Sequence, residues 1–130
     1  MDAIHPATVH FPIALLLVGS LGELWAMRRS RADIVAASRV MLSIGWWTAL
    51  VATLSGFVTL ALEWQRAQTY LGWINAHAAT SLIIVGVYWR IVLGKPQPAT
   101  TRRTLLIIGS ALIVLTGWLG GYLAHTLDWR

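Results

Sequence analysis

Four imidazoles carry the chemistry this chain can do. His5 and His10 stand in the stretch Ile4-His5-Pro6-Ala7-Thr8-Val9-His10-Phe11-Pro12, directly before a long apolar run, and His77 and His125 follow far along the chain. Neutral imidazole is the commonest protein ligand for transition metals and the usual axial ligand of haem iron. Glu63 adds a carboxylate of the kind that joins histidines around copper, zinc or iron. Glu23 and Arg90 form a second candidate set, an ion pair with a structural role. The chain has no cysteine, which excludes disulfides, a covalently attached c-type haem and a cysteine-ligated iron–sulfur cluster. No serine or paired-carboxylate arrangement supplies a nucleophile or an acid–base pair. The reading is therefore of a binding or redox protein rather than an enzyme acting alone.

The elements that must position these residues are membrane helices. Of 130 residues, 57% are hydrophobic and only 12% charged, about half the charged share of a soluble domain, and the mean hydropathy is +0.66. Four apolar segments, at 6–27, 39–62, 73–93 and 104–125, are each near the ~20 residues that cross a bilayer. The links at 28–38, 63–72 and 94–103 are short, and the last contains the breaker Gly94-Lys95-Pro96-Gln97-Pro98. Short links favour antiparallel neighbours. The expected fold is all-α: a single domain over 1–130, an integral membrane four-helix bundle running up-down-up-down.

Orientation comes from the cations. Arg28, Arg29, Arg31 and Arg39 flank the first link and Arg90, Lys95, Arg102 and Arg103 the third, whereas the other side has only Arg66 and Arg130. Eight against two is a strong positive-inside bias. It predicts the cytoplasmic membrane, with both termini and the second link on the non-cytoplasmic side. Trp25, Trp46, Trp47 and Trp89 fall toward the inner ends, and Trp64, Tyr70, Trp73, Tyr122 and Trp129 toward the outer ends, as two aromatic belts would. The first segment lacks a basic n-region and is followed by arginines, so it reads as a retained helix rather than a cleaved signal peptide. The net charge of +5 is explained by topology, since the cations sit at helix ends and not in the stripe that nucleic acid would require.

This topology brings His5, His10, His77, His125 and Glu63 to one outer end. His77 shares a helical stripe with Thr80, Ser81, Ile84 and Tyr88, and behind His125 come Gly121, Trp118 and Gly117. Gly45, Ala49, Ala52 and Gly56 form a small-residue stripe behind Glu63. Small residues mark close helix contact in membranes and polar ones turn from lipid. His77, His125 and Glu63 are thus expected to face the interior. Glu23 shares the face of His5 provided the first helix runs unbroken past Pro12.

The residues Ile4-His5-Pro6, Phe11-Pro12-Ile13-Ala14-Leu15, Glu23, Gly56 with Glu63, His77, Arg90, and Gly117-Trp118-Leu119-Gly120-Gly121 with His125 carry a resemblance. In that order and spacing the chain resembles, over nearly its whole length, the bacterial four-helix membrane family called domain of unknown function 2231. Its last motif usually runs on into a glycine, where this chain has Thr126-Leu127-Asp128, and His5 matches the family better than His10. The resemblance implies a redox role, because the family's domain can be joined to Rieske-type iron–sulfur or c-type cytochrome modules.

Three functions follow as expectations. The first is a haem b electron-transfer protein or cytochrome subunit, with two histidines on opposite sides of the ring: His77, with His125, His5 or His10 opposite. Gly117, Gly120 and Gly121 would give a porphyrin room. The second is a copper, zinc or iron site made by His5, His10, His77, His125 and Glu63. The third is a structural or assembly subunit of a larger membrane complex or a homo-oligomer. The bilayer is a partner in every case, and a quinone is a candidate partner in the first.

Overall fold

A computed structural model describes residues 4–125, with side chains from Val9 onward. Five α-helices follow one another: α1 (Ile4–Arg29), α2 (Ala32–Leu62), the single turn α3 (Trp64–Ala67), α4 (Leu71–Val92) and α5 (Ala99–His125). A 3-10 turn, Gln68–Tyr70, joins α3 to α4, and no strand occurs among the described residues. Four stretches, Val9–Arg29, Ala32–Leu62, Trp64–Val92 and Ala99–His125, are long and apolar enough to cross a membrane.

The helices outrun the expected segments where charge begins. The first link spans only Ser30 and Arg31, not 28–38, because α2 starts at Ala32. Charges end an apolar span without ending a helix: Ala32-Asp33-Ile34-Val35-Ala36-Ala37 is helix-compatible, and Asp33 in the first turn suits the positive end of the helix dipole. The chain reverses at Ser30, whose φ of 51° is in the left-handed region. Likewise α5 starts at Ala99 rather than 104, since the two prolines confine the break to the residues before it. The second link is itself mostly helical turns. Pro12 lies inside α1 without ending it. It deletes one backbone donor near the helix start, a loss that membrane helices tolerate.

Four long helices form a ring in which α1 packs on α2 and α5, and α4 packs on α5 and α2. Leu16, Leu42, Trp46, Ile84, Tyr88, Ile91, Leu106 and Ile113 make one core cluster. The small residues set how closely the helices approach. A Cβ at Gly45 would come 2.9 Å from Leu16, one at Gly22 would come 2.7 Å from the Ser38 hydroxyl, and one at Gly109 would come 2.8 Å from the Tyr88 ring. The stripe Gly45, Ala49, Ala52 is buried, so its role is helix packing. Trp46 locks α2 to α4 by donating from Nε1 to the Val85 carbonyl at 2.9 Å. Large apolar side chains such as Val51, Leu54, Leu82, Ile83 and Val114 are exposed instead. In water so much outward apolar surface would be a liability; against lipid tails it is matched to its solvent.

Candidate functional site

His77 is the histidine that the fold builds into the bundle. It lies in the second turn of α4, half-buried, and its Nδ1 is 3.2 Å from the Thr116 carbonyl of α5. A carbonyl only accepts, so Nδ1 is the donor in this contact. The ring presses on Gly120, where a Cβ would stand 2.9 Å from Cε1. Only glycine allows so close an approach. Behind the ring, the His77 carbonyl accepts from Thr80 at 3.0 Å and Ser81 at 2.8 Å. Thr116 is itself 9% exposed, and its hydroxyl has no hydrogen-bond partner. Above this level Trp73 and Tyr122 pack with ring centroids 4.6 Å apart, and Trp118 stacks on Tyr122 at 6.0 Å.

Among the described side chains, the other expected ligands are not gathered around His77. His10 and His125 are both exposed, which corrects the inward reading of His125; it belongs to the last turn of α5, beyond the level at which α4 and α5 meet through His77. Glu63 closes α2 and faces Arg66 at 3.7 Å, with nearly half its side chain exposed. It sits where the chain turns from α2 into α3, which carries Arg66 within reach. His5 belongs to α1 by its backbone, and its side chain lies outside the described residues. Among the described residues, no three histidine, aspartate or glutamate side chains converge as a metal site would require.

At the other end of the ring, Glu23 is fully buried and pairs with Arg102, not with Arg90. The contact is bidentate: Arg102 donates from Nε to Oε1 at 2.5 Å and from Nη2 to Oε2 at 2.9 Å. Its Nη1 donates to the Ile91 carbonyl at 3.0 Å, so one side chain ties α1, α4 and α5 together. Arg90 instead donates to the Lys95 carbonyl at 2.8 Å and braces the link before α5. One turn from Glu23, the buried Ser20 hydroxyl meets the Tyr88 hydroxyl at 2.7 Å. Arg102 was legible in the sequence. It continues the buried series Leu106, Gly109, Ile113 and Thr116 backward by one turn, whereas Arg90 lies off the series His77, Ser81, Ile84, Tyr88 and Ile91.

All of this sits within a chain matched from residue 1 to 130 by one family model, a predicted membrane protein family. The chain belongs to the DUF2231 family. The match covers both the His77 end and the Glu23 end, so the two polar levels belong to a single family unit. No curated protein and no solved structure matches the chain.

Proposed function

We propose that this DUF2231 chain is a small membrane electron-transfer protein that holds haem b, with His77 as one axial ligand. The observation that carries the reading is the hydrogen bond from His77 Nδ1 to the Thr116 carbonyl. Ligating histidines characteristically give their second ring N–H to a carbonyl or carboxylate, which fixes the tautomer and directs the lone pair of the other nitrogen to the metal. Two features support a flat ligand beside it. A Cβ at Gly117 or Gly121 would meet nothing within 4 Å, and the buried Thr116 hydroxyl lacks a partner that a polar ligand atom or a water would supply. Haem iron takes one or two protein ligands, whereas a bare copper, zinc or iron site needs three or four. Haem is therefore preferred to the histidine–carboxylate metal site. His5 is the second ligand we favour over His10 and His125, which are exposed.

In the same reading the helices run antiparallel, up-down-up-down across the cytoplasmic membrane. Both termini and the histidines are on the periplasmic side. The support is the placement of eight cations at one end against two at the other. Electrons would pass to or from a Rieske-type or c-type cytochrome partner or a quinone, with the chain acting as a redox subunit rather than a free-standing enzyme. The test is a visible spectrum of protein produced with ample haem. A Soret band that is lost in His77→Ala supports the proposal. No band in the wild type, with none on adding haem, leaves the assembly-subunit role in its place; stoichiometric metal without porphyrin would favour the bare-metal site.

A further inference from the structure

The tight turn between α1 and α2 leaves a shallow, open cleft of about 450 Å³. It is lined by the apolar Ala26, Met27, Val35 and Ala36 together with Arg31 and Arg39. The charge around it is uncompensated. Arg28, Arg29 and Arg39 are exposed, and no ion pair among the described residues uses them. Asp33, the one carboxylate in this turn, is already held by Arg31 through two hydrogen bonds of 2.9 and 2.7 Å. The cleft opens where an apolar span ends, one turn past the exposed Trp25, at the depth of a headgroup layer.

We propose that this cleft is a binding site for an anionic phospholipid, with the phosphodiester against Arg39 and an acyl chain along the apolar lining. The charge complementarity is specific in sign. A zwitterionic headgroup brings its own cation toward the unpaired Arg39, with the exposed Arg28 and Arg29 in the same basic turn, while an anionic glycerol headgroup does not. The apolar lining distinguishes lipid from free phosphate, because an inorganic anion gains nothing from Met27 or Val35. Each basic residue near an anionic membrane surface is worth about a five-fold change in affinity. The proposal is independent of the haem reading and holds whichever side of the membrane this end occupies.

Native mass spectrometry of the full chain, released from micelles containing equal phosphatidylglycerol and phosphatidylcholine, tests it. The wild type should retain phosphatidylglycerol preferentially. The preference should fall about five-fold in Arg39→Gln. It should survive in Arg66→Gln at the far end. Ala36→Phe, which fills the cleft and leaves every cation in place, should lower retention of phosphatidylglycerol as well. Helix content by circular dichroism checks that each variant is folded. Equal retention of the two lipids would overturn the proposal. So would a preference unmoved by Arg39→Gln, or displacement of the lipid by inorganic phosphate at equal concentration.

Discussion

Two side-chain contacts hold the polar interior in place, and each predicts a distinct phenotype. Arg102 compensates a carboxylate with no exposure at all. Arg102→Gln therefore strands a buried charge and should cost about 3–5 kcal/mol of stability in detergent unfolding. Arg90→Gln removes only a hydrogen bond to a link carbonyl and should cost about 1 kcal/mol. Equal losses would contradict the assignment of Arg102 as the partner of Glu23. At the other level, Gly120 leaves no room for a side chain beside the His77 ring. Gly120→Val should push the imidazole off the Thr116 carbonyl. Its expected signature is a weakened or shifted haem spectrum at near-normal helix content, whereas Gly72→Ala, where a Cβ meets nothing, should change neither.

Helices and their links were legible in the sequence to the extent that lipid, rather than local propensity, decides them. The four spans follow from apolar length alone, and the stripe of α4 through His77, Ser81, Ile84 and Tyr88, half-buried at its first two positions and buried at the others, follows from periodicity. The helix ends were not legible, because Arg28, Arg29 and Asp33 mark where the bilayer stops and not where the backbone hydrogen bonds stop. The reversal at Ser30 leaves a mark only in its φ of 51°. A left-handed residue with a Cβ is strained by roughly 1–2 kcal/mol, so Ser30→Gly should raise stability by about 1 kcal/mol, and an unchanged or lower midpoint would count against that turn. Within the site, the pairing of His77 with the Thr116 carbonyl could not be read from sequence, since it depends on the axial register of two helices. The expected convergence of His125 and Glu63 on His77, which does not occur among the described residues, has the same origin. Matching depth is not convergence, because a helix end can turn its last side chains outward, and both residues sit there.

The whole molecule is an inside-out arrangement, with exposed leucine, isoleucine and valine around an interior that holds Ser20, Glu23, Ser38 and Thr116. Its two polar levels differ in kind. The Glu23 level is saturated by bidentate contacts and serves as a clasp, whereas the His77 level, where we place the proposed site, keeps the Thr116 hydroxyl without a hydrogen-bond partner beside an imidazole held through Nδ1. The proposed topology puts the 94–98 link in the cytoplasm. A reporter active only in the cytoplasm should therefore signal when inserted after Gln97 and stay silent when fused at either terminus; the reverse pattern would invert the orientation. The central claim rests on His77, and one measurement addresses it most directly: the oxidised and dithionite-reduced visible spectra of purified wild type and His77→Ala, each produced with ample haem. The account predicts a Soret band with sharp α and β bands on reduction in the wild type and their loss in His77→Ala. An identical spectrum in both proteins, or none in the wild type after haem is added, would contradict it.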